Sequence, residues 1–183
     1  MRAIEVVFVF GWVGFWLYWL IEAMTTTKRG RIQWSRELRI RAVIAVIVIV
    51  LIRLGAFRDH SLNTAPWRAG LGLALFVVGL AFAIWARVHI GLNWGSPMSQ
   101  KDKPELVTSG PYRLVRHPIY SGILVAGTGT AVALSWAWLI AVALAGVYFS
   151  YSAVVEERYL TEKFPETYPS YKRSTKMVVP FVL

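Results

Sequence analysis

Cysteine is absent from the 183-residue chain, and acidic residues are scarce, with 10 against 20 basic residues. The lack of cysteine excludes disulfides, thiolate metal sites and cysteine nucleophiles. The three histidines, His60, His89 and His117, are scattered along the chain, so we expect no metal site. A net charge of +10 is typical of proteins that bind nucleic acid or an anionic membrane surface. Because the cations lie in short loops between apolar runs, we interpret them as signals of membrane topology and expect no nucleic-acid partner.

Hydrophobic residues make up 56% of the chain, above the roughly 45–50% of a soluble domain. Several apolar runs reach about 18 residues or more, which is long enough to cross a bilayer as a helix. In lipid such runs form helices because every backbone polar group must be paired internally. The sequence therefore predicts an all-α integral membrane bundle of about five transmembrane helices, at Ile4–Met24, Leu38–Phe57, Trp67–Ile90, Ile119–Leu134 and Trp136–Val155.

The basic residues are distributed unevenly among the links between these predicted spans. The first loop, the third loop and the tail after Val155 fall on one side of a five-helix bundle. Together with Arg39, Arg41 and Arg87 at the adjoining span ends, they carry 16 of the 20 basic residues. Short loops rich in lysine and arginine stay in the cytoplasm. We therefore expect the N-terminus outside and the C-terminal tail in the cytoplasm. The small size of the chain and its short loops favour a prokaryotic inner membrane.

No internal repeat divides the chain, so we expect one domain over residues 1–183. Residues 1–90 carry three predicted spans, and residues 91–183 carry a loop, a helical hairpin and the tail. In the fourth span small residues recur at four-residue spacing, which favours close helix packing, on the lines Gly122, Ala126, Thr130 and Gly127, Ala131, Ser135.

Two further features of the sequence predict local structure. Most tryptophans are assigned to the membrane interface, where their rings anchor spans: Trp12, Trp16, Trp19, Trp67, Trp136 and Trp138. After the fifth span we expect a short amphipathic helix from near Glu156 to about Phe164, and the two prolines Pro165 and Pro169 interrupt the rest of the tail.

Polar residues are concentrated in the third loop and the tail. Gly110-Pro111 indicates a turn, and Pro118 suits the first turn of a helix, which leaves His117 at a helix N-terminus. Free backbone N–H groups and the helix dipole favour an anion such as a carboxylate there. Glu156 and Glu157 directly follow the fifth span and are candidates to receive a ribose, an amino group or a sulfonium charge; the alternative is a solvated helix end.

Together these motifs closely resemble the isoprenylcysteine carboxyl methyltransferase family and its bacterial and archaeal relatives. The resemblance covers residues from near Asn93 to Pro180. It is carried by Leu106-Val107-Thr108-Ser109-Gly110-Pro111-Tyr112-Arg113, by Arg116-His117-Pro118-Ile119-Tyr120-Ser121-Gly122, and by Glu156-Glu157 followed by Leu160, Phe164, Tyr168 and Tyr171.

The resemblance implies a membrane helical bundle whose cytoplasmic loop and tail fold over S-adenosylmethionine, with a lipophilic small molecule or a lipidated molecule as methyl acceptor. The cofactor-binding residues that it implies are Glu105, Leu106, Val107, Tyr112, His117, Pro118, Tyr120, Glu156 and Glu157. Membrane lipids are the other expected partners. Two positions depart from the family pattern: Glu105 stands where many relatives have histidine, and residues 151–155 hold no arginine. Both departures concern the identity of the acceptor more than the use of the cofactor.

The candidate catalytic residues are Glu156, Arg116 and Tyr120. Glu156, Glu157 or Tyr120 is the candidate base for an amine or phenol acceptor, and Arg113 or Arg116 is the candidate to orient an anionic one. Two other functions stay open on the sequence. One is a membrane sterol or lipid reductase that uses NADPH. The other is a non-catalytic membrane protein such as a transporter subunit or assembly factor, although strongly polar residues inside the spans are few.

Overall fold

The computed structural model describes residues 3–26, 65–93 and 105–178. Their helices are α1 Ala3–Thr26, α2 Pro66–Ile90, α3 Pro118–Ala133, α4 Trp138–Lys163 and α5 Tyr168–Ser174, with short 3-10 helices at Gly91–Asn93 and Gly110–Arg113. In these residues no β-strand occurs, only an isolated parallel bridge between Val115 and Lys176. The predicted span Leu38–Phe57 lies outside the described residues and stays a prediction.

The protein is an all-α membrane helical bundle, as the sequence predicts. α1, α2 and α4 are each long and apolar enough to cross a membrane. α3 has 16 residues and so rises about 24 Å, less than the roughly 30 Å hydrocarbon core of a bilayer. Large apolar side chains on the outer helix faces are exposed, among them Phe10 at 70% and Val147 at 73%. Such faces are stable against lipid and costly in water.

Glycines bring the backbones of α2 and α3 into direct contact. A methyl group placed on Gly79 would lie 2.6 Å from the carbonyl oxygen of Gly122, and one on Gly129 would lie 2.5 Å from that of Gly72. Small residues allow this approach in lipid, where packing and not water exclusion holds helices together. The predicted line through Gly122 and Ala126 thus lies on the contact surface for α2, whereas Gly129, which also belongs to that surface, is on neither predicted line.

α4 turns back along α3 after a link of residues 134–137. A methyl group on Gly127 of α3 would contact Val142 of α4 at 3.0 Å, and one on Gly146 would contact Leu124 at 3.9 Å, so the two helices run antiparallel. This arrangement confirms the predicted hairpin.

α1 packs against α2 and α3 through aromatic side chains. Phe8 and Phe76 are buried, with ring centroids 4.6 Å apart. Trp12 packs edge-on against Phe76 at 5.5 Å and donates a hydrogen bond of 3.1 Å from Nε1 to Thr130 Oγ1. The assignment of Trp12 to the membrane interface is therefore wrong, because its indole N–H finds a partner inside the bundle.

At the other end of helices α1 and α2, Glu22 of α1 forms an ion pair with Arg87, which is buried in the last turn of α2. Phe8 faces Phe76 and Glu22 faces Arg87, so α1 and α2 run parallel. The sequence groups Arg87 with the cations of the third loop, whereas the structure buries its side chain and pairs it with Glu22.

α4 continues without a break to Lys163. The expected separate amphipathic helix from near Glu156 is therefore wrong. Residues 156–163 contain no glycine or proline, and the helix ends at Phe164 because the residue before a proline is disfavoured in the α conformation. As a result, Glu156 and Glu157 lie near the end of a long helix instead of at the start of a separate short one. The tail then forms α5, which the sequence analysis did not predict.

Candidate functional site

The loop before α3 begins with a tight turn. Gly110 has φ of +59°, a conformation that favours glycine, and a methyl group there would lie 2.7 Å from the imidazole ring of His89. His89 Nε2 lies 2.9 Å from the hydroxyl of Ser109. Pro111 and Tyr112 are buried after the turn, and His117 is the N-cap of α3 with Pro118 in its first turn, as the sequence predicts.

The tail lies alongside this loop and is hydrogen-bonded to it. The backbone N–H of Arg116 donates to Lys176 O at 2.8 Å, and that of His117 donates to Met177 O at 2.9 Å. One turn into α3, the hydroxyl of Ser121 donates to Val178 O. The loop and the tail therefore form one layer at the end of the bundle where α3 starts and α4 ends.

Glu157 is the centre of a charged cluster. Its side chain is 2% exposed and accepts hydrogen bonds from Arg116 Nε at 2.6 Å and Lys172 Nζ at 2.8 Å. His117 Nε2 lies 3.5 Å from Glu157 Oε1. Two cations bound to a single carboxylate favour its ionised form despite burial. Glu157 therefore joins α4, the loop and α5.

Arg116 extends the cluster into the tail. Besides the Glu157 contact, its Nη1 donates to the carbonyl oxygens of Lys172, at 3.0 Å, and of Thr175. The side chain is only 8% exposed. Because a guanidinium presents several N–H donors in a rigid plane, one arginine can bind a carboxylate and two carbonyls at once.

Two polar atoms near Glu157 are buried without a hydrogen-bond partner. They are Nε2 of His117, whose distance to Glu157 is longer than a normal hydrogen bond, and the hydroxyl oxygen of Tyr168. Glu156 lies 3.6 Å from His117 Nδ1 and keeps 40% of its side chain exposed. Buried polar groups are rarely left unpaired, so atoms of this kind point to a ligand or an ordered water.

Three buried tyrosines line the loop and the tail. The hydroxyl of Tyr171 donates to Tyr112 O at 2.6 Å. Burial raises the pKa of Tyr112, Tyr168 and Tyr171 well above the ordinary value, with a further rise from Glu156 at Tyr112 and from Glu157 at Tyr168. All three phenols are thus neutral hydrogen-bond donors at physiological pH.

Aromatic rings stack from the cluster towards α4. The rings of His117 and Tyr120 are nearly parallel with centroids 5.4 Å apart, and those of Tyr120 and Phe149 lie 4.6 Å apart at an angle of 4°. The stack fixes the plane of the imidazole ring and links the site to the helical hairpin.

The remaining predicted site residues lie further along the loop. Glu105 is exposed, Leu106 and Val107 are half-buried, and all three belong to the extended segment before the Gly110 turn. Arg113 is exposed at the end of the 3-10 helix. Within residues 3–26, 65–93 and 105–178 no group of metal-binding side chains occurs.

Sequence reasoning missed Lys172, Tyr168 and Phe149 as parts of the site. The tyrosines Tyr168 and Tyr171, three residues apart beside Pro169, carry a usable signal, because this spacing places both on one helix face. Nothing in the sequence pairs Phe149 with Tyr120.

The fold and the site define a helical membrane protein with a polar site built from one loop and the C-terminal tail at one end of the bundle. Residues 67–167 match the model of the phospholipid methyltransferase family. The chain belongs to this family, and membership implies S-adenosylmethionine as the methyl donor.

Curated relatives agree with this assignment. The chain is 31% identical over 121 residues to protein-S-isoprenylcysteine O-methyltransferase B of Arabidopsis thaliana, covering 63% of this chain and 61% of the relative. It is 32% identical over 125 residues to methanethiol S-methyltransferase of a Pseudomonas strain, covering 63% and 48%. It is 33% identical over 140 residues to the cobalt-zinc-cadmium resistance protein CzcN of Cupriavidus metallidurans, covering 73% and 61%.

The two relatives that are named as methyltransferases confirm the resemblance that the sequence motifs indicate. The chain spans less than two thirds of the length of each of the three.

Proposed function

We propose that the protein is an integral membrane methyltransferase that uses S-adenosylmethionine to methylate a lipophilic acceptor. The observation that carries the proposal is the pair of unpartnered buried atoms, His117 Nε2 and Tyr168 Oη, near the half-exposed carboxylate of Glu156. Membership of the phospholipid methyltransferase family supports the same activity.

The residues present fit this cofactor. S-adenosylmethionine carries hydroxyl, carboxylate and amino groups as well as a sulfonium, and when bound it supplies an electrophilic methyl group. His117 and Tyr168 offer the unpaired polar atoms. Glu156 offers a partly exposed carboxylate for hydroxyl groups or positive charge. The predicted cofactor contacts of Glu105, Leu106, Val107, Tyr112 and Pro118 belong to the same proposal.

The cluster suggests different roles for the charged residues. Glu157 and Arg116 bind each other and the tail, so we assign both to positioning the site. For Arg116 this positioning role takes the place of the catalytic role expected from the sequence. Glu156 and Tyr120 remain the proposed catalytic residues. Glu156 is half-exposed, and Tyr120 lies in the aromatic stack next to His117.

Methyl transfer to an anionic acceptor needs little acid–base assistance, and the protein mainly supplies alignment. Alignment of two reactants lowers a barrier by about 7–11 kcal/mol. We propose that the acceptor, a lipophilic small or lipidated molecule, enters from the bilayer beside the α3–α4 hairpin while the donor binds at the loop and tail. The lipophilic acceptor then reaches the site from the lipid, and the polar donor reaches it from water.

The topology belongs to the same proposal. We place the protein in a prokaryotic inner membrane, with its N-terminus outside and its tail in the cytoplasm. The methyl donor is made in the cytoplasm. Residues 1–183 form one domain, in which residues 1–90 supply three spans and residues 91–183 supply the site.

Calorimetric titration of detergent-purified protein with S-adenosylmethionine and S-adenosylhomocysteine tests the proposal. We expect micromolar binding that weakens at least tenfold in His117→Ala and in Tyr168→Phe, because each variant loses a polar atom offered to the ligand. The matched control is Tyr159→Phe, a tyrosine on α4 whose hydroxyl oxygen accepts from Lys163.

Absence of binding in a folded sample contradicts the methyltransferase proposal. Binding of NADPH in its place favours the membrane reductase, and binding of neither ligand favours a non-catalytic membrane protein.

A further inference from the structure

A basic cleft lies between Arg116 and the C-terminal tail. Its volume is about 260 Å³, and its walls are the side chains of Arg116, Lys172, Arg173 and Lys176 together with residues 174–177 of the tail. Ligand pockets for whole cofactors are usually about 300–1,000 Å³. The cleft is thus large enough for a headgroup and too small for a complete cofactor.

The cleft carries an excess of positive charge. Four cations border it, and Glu157 neutralises at most one of those charges through its contacts with Arg116 and Lys172. Arg173 and Lys176 are exposed and form no ion pair with any carboxylate in the described part of the chain. Because Arg116 is held rigidly by the tail carbonyls, the wall of the cleft is fixed before any ligand binds.

The cleft lies at the end of the bundle where the membrane-spanning helix α4 ends and α3 starts. Arg116 stands two residues before Pro118, where the apolar helix α3 begins. Leu114 in the same loop is 54% exposed, and Met177 lines the cleft. Apolar side chains next to cations are typical of the boundary between the hydrocarbon core and the phosphate groups.

We propose that this cleft binds the phosphate group of an anionic membrane lipid. Arg173 and Lys176 supply charge-assisted hydrogen bonds to the phosphate oxygens, and Met177 in the lining contacts the first acyl carbons. Neither His117 nor Tyr168 lines the cleft, so the proposed lipid site does not include the atoms assigned to the methyl donor. The proposal stands whether or not the protein transfers methyl groups.

The test uses the full-length protein in detergent and measures the thermal unfolding midpoint during titration with phosphatidylglycerol. Native mass spectrometry counts the retained lipids in parallel. We expect saturable stabilisation in the wild type. In the double variant Arg173→Gln/Lys176→Gln, we expect an apparent dissociation constant at least tenfold higher and one fewer retained lipid.

Arg158→Gln is the matched control, since Arg158 is an exposed cation on α4 that does not line the cleft. Retained lipid binding in this control together with loss in the double variant supports the proposal. An equal loss of lipid binding in both variants overturns the proposal, because the effect is then one of general surface charge. A loss in neither variant also overturns it, because Arg173 and Lys176 then do not bind the lipid. Equal stabilisation by millimolar inorganic phosphate without lipid overturns the lipid assignment and leaves a soluble phosphate as the ligand.

Discussion

Arg116 and Glu157 lie 41 positions apart in the chain and are joined by a hydrogen bond of 2.6 Å between Nε and Oε1. The other edge of the guanidinium donates to tail carbonyls of Lys172 and Thr175. One buried side chain therefore fastens the loop, the end of α4 and the tail together. His117 and Tyr168, which carry the atoms proposed to bind the cofactor, belong to the segments that Arg116 joins.

Removal of the Glu157 charge is expected to destabilise the protein. Glu157→Gln leaves Arg116 buried without its anion, and breaking one partner of a buried ion pair costs about 3 kcal/mol or more. Unfolding in detergent measures the loss. Glu156→Gln is the matched control, because that side chain is 40% exposed and its replacement is expected to change stability by less than about 0.5 kcal/mol. Equal effects of the two variants contradict the central role of Glu157.

The contact between α2 and α3 is expected to tolerate no added methyl group. Gly79→Ala places a methyl 2.4 Å from the backbone nitrogen of Ala126, so the helices must separate, at a cost of about 1–3 kcal/mol. Gly70→Ala on the same helix meets nothing within 4 Å and is expected to leave stability unchanged or to raise it by up to about 1 kcal/mol. Unfolding midpoints compare the two. A harmless Gly79→Ala contradicts the close backbone contact.

Removal of the hydroxyl group is expected to have different effects on stability at the two tyrosines of α5. Tyr171→Phe removes the donor to Tyr112 O and leaves a buried carbonyl unpaired, which costs about 1–3 kcal/mol. Tyr168→Phe removes a hydroxyl that has no partner, so stability stays the same or rises while binding of S-adenosylmethionine weakens. Unfolding curves and calorimetry separate the two effects. A destabilised Tyr168→Phe with unchanged ligand binding contradicts the assignment of that hydroxyl to the ligand.

Stability is expected to decrease at alkaline pH. The ordinary pKa of tyrosine is 10.0, and burial raises the pKa of Tyr112, Tyr168 and Tyr171 in the folded state. Above pH 10 the unfolded chain has lost protons that the folded protein keeps, so stability falls as pH rises, with a slope of about one proton for each group. Unfolding midpoints from pH 8 to pH 11.5 measure the slope, and phenolate absorbance reports ionisation. We expect a shallower slope in Tyr168→Phe; an unchanged slope contradicts the prediction.

Local signals in the sequence predict much of the fold and part of the site. The apolar runs give α1, α2, α3 and the start of α4 within a few residues, whereas α4 continues to Lys163, beyond the predicted end at Val155. Pro118 correctly marks the start of α3 after His117. The link between α3 and α4 is so short that only a hairpin fits. These features depend on composition and on neighbouring residues, which a single sequence contains.

Other features depend on which distant residues meet, and the sequence does not specify them. The small-residue lines predict close packing for α3, but nothing in them identifies α2 as the partner. Trp12 is ambiguous, since an indole suits both an interface and a buried hydrogen bond to Thr130. Lys172 and Tyr168 reach Glu157 only because α5 folds back against the loop.

The hydrogen bonds between the loop and the tail also have a consequence for biosynthesis. Arg116 and His117 precede α3, whereas Lys176 and Met177 follow α4, and the two pairs meet through backbone hydrogen bonds. They face the same compartment only when α3 and α4 have entered the bilayer in opposite directions. A nascent chain in which α3 or α4 fails to insert cannot bring the two halves of the proposed site together. Binding of the proposed methyl donor therefore reports that both helices of the hairpin have inserted correctly.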